Sequence, residues 1–187
     1  DIPNKQPLLF LPSDHLLEKN NVFNKNLIKN SKYLNNKNIF LFGIKPDNPS
    51  NQYGYLNVKK SGSYLIKIVK FIEKPSVKKA KALIKTKGLW NSGMFFARKD
   101  SIINNFRKFE KKILKNCYIS MSKARTKGKI INLNKRYFLK SPTNSFDYAI
   151  LEKCSDINCI VLNLPWTDLG NWKEILKVFK NNKLKYL

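Results

Sequence analysis

Short apolar runs that stop abruptly at polar or turn-forming residues constrain the fold of this chain more than any other feature. Ile39–Ile44 is followed by the turn-rich residues 46–50, and the apolar residues 8–11 are followed by Pro12. Short runs without polar alternation, bounded by turn signals, are typical of strands that are buried on both faces. We therefore predict fully buried strands at 8–11 and 39–44, and a further strand at 157–164.

The stretches between these runs carry apolar residues at helical spacing. This spacing predicts helices that begin after Asn21 and at residue 75, a long amphipathic helix over 102–117, and helices at 145–153 and 171–179. Ser145 is the N-cap candidate of the fourth helix. Further strands are predicted at 53–58, 64–72 and 90–97, with a turn at 60–62. Strands alternating with helices indicate a layered α/β fold, and without repeats or linkers we expect one domain over residues 1–187.

The formal net charge of +25 would suit a nucleic-acid binder, but the makeup of that charge argues against one. Only four of the 37 basic residues are Arg, whose planar fork and stacking serve base recognition. The lysines are spread along the whole chain. We therefore expect the chain to attract anions such as phosphates, and we expect no nucleic-acid partner.

Cysteine usage and hydropathy indicate where a chain of this kind works. Three cysteines without a CxxC pair fit neither a disulfide framework nor a zinc site, which favours a reducing, cytoplasmic location. No apolar run approaches the roughly 20 residues of a membrane helix, and no signal peptide is visible, so we expect no membrane partner. Because the sequence starts at Asp1 without Met, we expect that a segment upstream is missing.

Asp14 and Asp168 have matching sequence contexts, because each follows an apolar run that ends in a Pro-containing turn. Each carboxylate is thus predicted just past the carboxyl end of a buried strand, where α/β sheets place their ligands. Two such carboxylates could share one Mg²⁺ ion, which proteins usually hold with one or two carboxylates and substrate phosphates. The alternative is that each Asp only caps the helix or turn that follows it.

Glu73 and Lys74 form an acceptor and cation pair in front of Pro75. Glu73 would suit sugar hydroxyls, and Lys74 would suit a phosphate as a point charge. Neighbouring residues of a strand point to opposite faces, so both can serve one ligand only if the strand ends or bulges there. The alternative is a surface ion pair worth less than about 1 kcal/mol.

Asn91 and Gly93 interrupt an apolar strand, and Gly54 does the same between two tyrosines. Asn offers a donor and an acceptor together, as a sugar hydroxyl requires, and Gly lets a ligand approach the backbone. The alternative for both places is a β-bulge within a core strand. His15 is the single histidine, and we interpret it as a packing residue or a support of the site, because no nucleophile pattern accompanies it.

Taken together and in this order, the motifs resemble the mannose-1-phosphate guanylyltransferase family of sugar-nucleotide pyrophosphorylases, nearly from end to end. The matching segments are Leu-Pro-Ser-Asp-His (11–15), Tyr-Gly-Tyr (53–55), Phe-Ile-Glu-Lys-Pro (71–75), Trp-Asn-Ser-Gly-Met-Phe (90–95), Ser-Phe-Asp-Tyr-Ala-Ile-Leu-Glu-Lys (145–153) and Trp-Thr-Asp-Leu-Gly-Asn-Trp (166–172). The resemblance implies a Rossmann-like, GT-A-like nucleotidyltransferase fold with a mixed sheet flanked by helices.

The resemblance also implies roles for particular residues. Asp14 and Asp168 would hold the catalytic Mg²⁺, and Lys74 would contact the sugar phosphate. Glu73 and Asn91 would bind the mannose hydroxyls. The remaining implied substrate-binding residues are Gly54, Ser145 and Asp147. The implied reaction joins GTP and mannose 1-phosphate into GDP-mannose and pyrophosphate by in-line attack on the α-phosphorus.

The chain also departs from the family pattern. The family opens with a glycine-rich loop and an Arg and a Lys that grip the triphosphate, and none of these is present. We therefore expect a partial domain that lacks the first strands, carries the sugar-binding side and the metal ligands, and turns over GTP poorly. Gln52 stands where the family usually has Gly. The alternatives are a non-catalytic relative that binds sugar nucleotides and a pyrophosphorylase for another sugar 1-phosphate. The oligomeric state is open, a homo-oligomer included.

Overall fold

The fold is built from ten strands, six helices and one π-helix within the residues that the computed structural model describes, 2–59, 66–170 and 172–180. The strands are β1 (Pro7–Phe10), β2 (His15–Leu17), β3 (Ile39–Ile44), β4 (Tyr55–Lys59), β5 (Ile66–Ile72), β6 (Leu89–Arg98), β7 (Arg125–Lys127), β8 (Ile130–Asn132), β9 (Ile157–Leu162) and β10 (Trp166–Asp168). The helices are α1 (Asn20–Ser31), α2 (Val77–Lys85), α3 (Lys99–Phe109), α4 (Lys111–Ser122), α5 (Lys135–Leu139) and α6 (Trp172–Lys180), and the π-helix is Asp147–Leu151.

The main sheet has six strands in the order β1-β6-β3-β9-β5-β4. β3 is antiparallel to β6 and parallel to β9, so the sheet is mixed. All six residues of β3 are buried, which confirms the strand predicted from its apolar run. β4 pairs with β6 as well as with β5, so the pairings from β6 through β3, β9, β5 and β4 return to β6.

Side chains of β3 alternate between two apolar clusters, one on each face of the sheet. Helices pack against both clusters. Phe42 lies in one cluster with Phe23 of α1 and Leu83 of α2. Leu41 lies in the other cluster, with Ile150 of the π-helix. The layered α/β prediction is confirmed.

β1 corrects one expectation, because it was predicted to be fully buried. It lies at one end of the strand order and pairs with β6, so the described part of the chain leaves its outer edge uncovered. Leu8 and Leu9 are half-buried, while Phe10 and Leu11 are exposed. An apolar run of four residues therefore does not show whether its strand lies at the edge or at the centre of a sheet.

β6 carries a bulge at the Asn-Ser-Gly motif. Leu41 pairs with Phe95 and Gly43 pairs with Asn91, so the three residues from Ser92 to Met94 face a single residue of β3. Gly93 has φ 74°, in the left-handed region that a residue with a Cβ rarely adopts. The bulge that was weighed as an alternative is therefore present, and it bends the strand next to Asn91.

The helix predicted over 102–117 is two helices, α3 and α4. They are separated at Glu110, whose φ of −140° and ψ of 53° lie outside the helical region. The Glu110 N–H donates to Phe106 O and its carbonyl accepts from Leu114 N–H, so one residue ends α3 and begins α4. Cys117, predicted on the buried face, is exposed, and the buried residues of α4 are Asn116 and Ser120.

The helix predicted over 145–153 is a π-helix, as the Glu152 N–H donates to Asp147 O. The predicted cap is present, since Ser145 Oγ accepts from Tyr148 N–H at 3.4 Å. α1 forms where it was predicted, but Val22 and Ile28 of its predicted apolar face are exposed.

The remaining predicted elements are found with shifted ends, apart from parts that lie outside the described residues. α2 begins after Ser76, whose side chain accepts from Lys79 N–H and so caps the helix. The turn at 60–62 and the start of the strand predicted at 64 lie outside the described residues, as does Asn171 at the predicted start of the last helix. Across the described ranges, no helix combines the length and the apolar character that a bilayer span requires.

Gly43 is expected to tolerate no larger side chain. A Cβ there would lie 2.6 Å from Cys159 Sγ and 2.8 Å from Leu89 Cδ1, closer than real Cβ contacts. Gly43→Ala should therefore lower the free energy of unfolding by about 1–3 kcal/mol, the usual cost of overpacking a core. Urea denaturation measures this loss. Adding Cys159→Ala removes the nearest atom and should recover part of it, and equal losses in the single and double variants would contradict this account.

Candidate functional site

Two three-residue strands bring Asp14 and Asp168 together. β2 and β10 pair antiparallel, with Asp168 opposite His15, and Leu169 N–H donates to Asp14 O at 2.8 Å. A Cβ placed on Gly170 would lie 3.2 Å from Asp14 Oδ2 and 2.9 Å from Asp168 Oδ1. One oxygen of each carboxylate therefore faces the same small space beside Gly170.

The chemistry of this donor set suits a divalent cation. Carboxylate oxygens are hard ligands, and Mg²⁺ is commonly held by one or two of them with the remaining positions filled by water and substrate phosphates. Within the described ranges, no group of three or more His, Cys, Asp or Glu is placed to hold a metal ion, so two carboxylates are what these residues offer. The turn role is present too, since Asp168 Oδ1 accepts from Gly170 N–H at 2.7 Å.

A cavity of about 170 Å³ lies next to the carboxylate pair. It is lined by residues from six parts of the sequence: Pro12, His15, Gln52, Tyr53, Gly54, Glu73, Asn91, Ser92, Gly93, Asp147, Trp166 and Asp168. Five of the predicted site residues are therefore brought to one cavity, namely Gly54, Glu73, Asn91, Asp147 and Asp168. Asp14 adjoins it through its contact with the space beside Gly170.

Glu73 and Lys74 lie where β5 has already ended. Lys74 has φ 40°, so the backbone turns and both side chains reach the same side, with Lys74 Nζ 3.9 Å from Glu73 Oε1. The side chain of Glu73 is 11% exposed and that of Lys74 is 61% exposed. A left-handed conformation at a residue other than Gly is uncommon and is often found at functional sites. The carboxylate thus faces the protein, while the ammonium group extends into solvent.

Gly54 makes room for the Glu73 carboxylate. A Cβ at position 54 would lie 2.6 Å from Glu73 Oε2 and 3.0 Å from Phe71 Cζ. The carbonyl of Gly54 accepts from Asn91 N–H at 2.8 Å, which ties the loop before β4 to β6. The glycine therefore lets two chain segments and a carboxylate meet at one wall of the cavity.

Asn91 carries an oxygen whose hydrogen-bonding capacity is unused. Its Nδ2 donates to Asp147 Oδ1 at 3.3 Å, but its Oδ1 is buried and has no hydrogen-bond partner within the described ranges. A buried acceptor without a donor costs free energy, so such an atom calls for a partner. Asp147 fixes which end of the amide is the acceptor, because a carboxylate can only accept.

Ser145 does not line the cavity. Its hydroxyl caps the π-helix, and that helix carries Asp147. Its contribution in this structure is therefore to position Asp147, and a contact with substrate would be additional.

Burial and two neighbouring carboxylates raise the pKa of Glu73. Burial is the first cause, and Asp147 and Glu152 add to it while Lys74 opposes it, which together raise the pKa of Glu73 to about 7. Burial also raises the pKa of Asp147. Glu152 Oε1 additionally accepts from Glu73 N–H at 3.3 Å. Glu152 was not predicted as part of the site, although it lies in the same matched segment, 145–153, as Asp147.

Aromatic rings separate this cavity from a second one of about 330 Å³. Tyr53 contacts Trp90 at 4.9 Å and Trp166 at 5.4 Å between ring centroids, and Tyr53 and Trp166 line both cavities. Burial, followed by the charges of Asp168, Glu174 and Asp47, raises the pKa of Tyr53 to about 12. Tyr53 was predicted only as a neighbour of Gly54, and its place between two tryptophans could not be read from spacing.

Comparisons with known proteins agree with the fold and the motifs. The model of the nucleotidyl transferase family matches residues 2–184. The mannose-1-phosphate guanylyltransferase of Salmonella montevideo is 31% identical over 91% of this chain and 38% of its own length. The alginate biosynthesis protein AlgA of Pseudomonas aeruginosa is 30% identical over 91% of this chain and 36% of its own.

A crystal structure from Thermus thermophilus, described as a mannose-1-phosphate geranyltransferase, superposes with a TM-score of 0.80 at 24% identity. The superposition covers 92% of this chain and 49% of the Thermus thermophilus chain, and it shows that the two chains share a fold. This chain spans well under half the length of the two curated relatives. The chain belongs to the nucleotidyl transferase family, as its motifs predicted, and proteins named mannose-1-phosphate guanylyltransferase are among its relatives.

Proposed function

We propose that this chain forms the sugar-binding and metal-binding part of an enzyme that joins GTP and mannose 1-phosphate into GDP-mannose and pyrophosphate. The observation that carries the proposal is Asn91 Oδ1, a buried acceptor without a partner in the described structure. Asn91 lines the same cavity as Glu73 and Gly54, and the carboxylate pair lies beside it. A sugar hydroxyl would supply the missing donor, and a phosphate would lie toward the cation.

The residues divide into two groups by chemistry. On the sugar side, Asn91 accepts from one hydroxyl and Glu73 bonds to another, while Gly54 keeps the backbone close. Lys74 is exposed and cationic, which suits the sugar phosphate. Asp147 holds the Asn91 amide, and Ser145 holds the helix that carries Asp147.

On the metal side, Asp14 and Asp168 would hold Mg²⁺, which supplies charge neutralisation for phosphates during transfer. The attacking oxygen of a sugar phosphate is already anionic, so the protein needs no general base. The residues therefore act by positioning the sugar phosphate and excluding water from its ring. This accords with the described part of the site, where no Ser or Cys is paired with His15 as a nucleophile.

The three cysteines are free in the structure, in accord with a reducing compartment such as the cytoplasm, where we place the reaction.

Binding of GDP-mannose, measured by tryptophan fluorescence with and without Mg²⁺, tests the proposal. Trp166 lines the cavity and Trp90 packs against Trp166 at a centroid distance of 6.5 Å, so both should report occupancy. We expect Mg²⁺-dependent binding that UDP-glucose displaces poorly. A sharper test is Gly54→Ala, which pushes a methyl group against the Glu73 carboxylate and should weaken binding about tenfold or more.

The control for Gly54→Ala is Gly128→Ala in the β7–β8 turn, where an added Cβ meets nothing within 4 Å and the strain from a φ of 59° stays within the turn. That variant should bind like the original chain. Preference for UDP-glucose would favour a pyrophosphorylase for another sugar 1-phosphate. Binding that ignores Mg²⁺ and Gly54 would contradict the proposed site and favour a non-catalytic relative.

A further inference from the structure

His15 is held on several sides in the structure. Its side chain is 12% exposed, and its ring meets the Trp166 ring edge-on at a centroid distance of 5.3 Å. On another side, a Cβ at Gly93 would lie 3.5 Å from His15 Cε1, an ordinary van der Waals distance, so the bulge of β6 lies close beside the imidazole. β2 also fixes the backbone of His15 directly opposite Asp168.

The hydrogen bond to Trp166 determines which ring nitrogen of a neutral His15 carries the proton. Trp166 Nε1–H points to His15 Nδ1 at 3.3 Å, and an indole nitrogen can only donate. His15 Nδ1 must therefore accept, which leaves the proton on Nε2.

His15 Nε2 lies between the two carboxylates. It is 3.8 Å from Asp14 Oδ1 and 3.9 Å from Asp168 Oδ2. The other two oxygens, Asp14 Oδ2 and Asp168 Oδ1, are the ones that face the space beside Gly170. Each carboxylate thus directs one oxygen toward the N–H of His15 and the other toward the proposed cation position.

We propose that His15 is a positioning residue that orients both carboxylates for the cation through its Nε2–H, in the tautomer that Trp166 fixes. The proposal rests on the proposed function, because it assumes that Asp14 and Asp168 hold the metal. A donor between two carboxylates reduces their mutual repulsion and limits their rotation. Removing a partner that hydrogen-bonds to a metal ligand typically changes metal affinity by about 10–100-fold. At 3.8 and 3.9 Å the contacts of Nε2 are longer than hydrogen bonds, so we expect an effect at the lower end of that range.

Mn²⁺ binding to the whole chain at fixed pH, followed by electron paramagnetic resonance of the free ion, tests this inference without any turnover. His15→Phe keeps an aromatic ring and removes the donor, so Mn²⁺ affinity should fall by about tenfold. His15→Gln places an amide N–H near the position of Nε2 and should restore most of that affinity. Trp166→Phe frees Nδ1 and should produce an intermediate loss, whereas Trp172→Phe, at a side chain that is 78% exposed, should produce none.

Asp168→Asn serves as the reference for a lost site and separates the two claims. If the original chain binds Mn²⁺, Asp168→Asn does not, and His15→Phe binds as tightly as the original, the role of His15 is wrong while the metal site stands. If the original chain does not bind Mn²⁺, or if Asp168→Asn binds Mn²⁺ as tightly as the original chain, the metal assignment fails and this inference fails with it. Equal losses in His15→Phe and His15→Gln, with thermal unfolding unchanged, would also overturn the proposal.

Discussion

Asp168→Asn should abolish the Mg²⁺ dependence of GDP-mannose binding, with a loss of more than about 100-fold, because a direct ligand matters at least as much as its supporting partners. The amide keeps the size of the carboxylate and keeps an oxygen that can accept from Gly170 N–H, so the local turn should survive. What it loses is the negative charge beside Asp14. Calorimetric titration at several Mg²⁺ concentrations measures the effect.

Asp47→Asn is the matched control for this experiment. Asp47 is exposed and lines the neighbouring cavity of about 330 Å³, so its substitution removes the same charge nearby without touching the space beside Gly170. We expect it to leave the Mg²⁺ dependence intact. Equal effects of the two substitutions would mean that total negative charge, and not a specific carboxylate pair, attracts the cation.

The free energy of unfolding should fall as pH rises from about 4.5 to about 7, and Glu73 should be a main cause. The pKa of Glu73 is raised from 4.5 to about 7 in the folded chain, chiefly by burial. Between these values the unfolded chain releases the proton while the folded chain keeps it, so rising pH favours unfolding. Above the folded pKa the effect is complete, and it amounts to about 2–3 kcal/mol.

Glu73→Gln isolates this contribution, since the amide stays neutral at every pH. The variant should lose most of the fall between pH 4.5 and 7 and should be more stable than the original chain at pH 8. Asp147, whose pKa is also raised by burial, should account for part of what remains. Urea denaturation at a series of pH values measures both curves.

Glu110→Gln is the control for burial of a carboxylate elsewhere. The Glu110 side chain is 16% exposed and pairs with Lys153 at 2.6 Å, far in sequence from the cavity. Its substitution should lower stability without removing the fall between pH 4.5 and 7. Parallel pH curves for Glu73→Gln and the original chain would show that Glu73 is ionised normally in the folded state.

The main strands could be predicted because a strand that is buried on both faces is apolar at nearly every position of its sequence. β3 is apolar at every position since helices cover both of its faces, and its bounds agree with the prediction. The strands β2 and β10 have no such pattern, because three residues are too few to show a hydrophobic period. They were missed, although their pairing is what brings Asp14 to Asp168.

The break at Glu110 was missed for a related reason. The apolar spacing continues from Phe109 to Ile113 across it, and helix propensity alone gives no cause to stop. The break is a matter of backbone conformation at one residue, where Lys153 from beyond the π-helix binds the Glu110 side chain. Such a contact between distant residues has no signature in local sequence.

Motifs singled out individual candidate residues for the site but could not predict the contacts between them. Glu73 and Asn91 stood out because polar side chains interrupt apolar runs. The raised pKa of Glu73 depends first on burial and then on Asp147 and Glu152, which lie more than seventy residues further along the chain, and spacing cannot predict that. The same holds for the unpaired oxygen of Asn91, which follows from where Asp147 lies.

The position of β3 in the sheet has a consequence for how this chain folds. Its parallel partner is β9, and Ile39 pairs with Ile157, more than a hundred residues later. Pairing of residues so far apart first requires a long loop to close, which costs chain entropy before any contact forms. Folding is therefore slow. During synthesis the β9 side of β3 stays unpaired until residues 157–162 have left the ribosome. Over that interval, an entirely apolar strand has an open edge that can pair with other chains or bind chaperones.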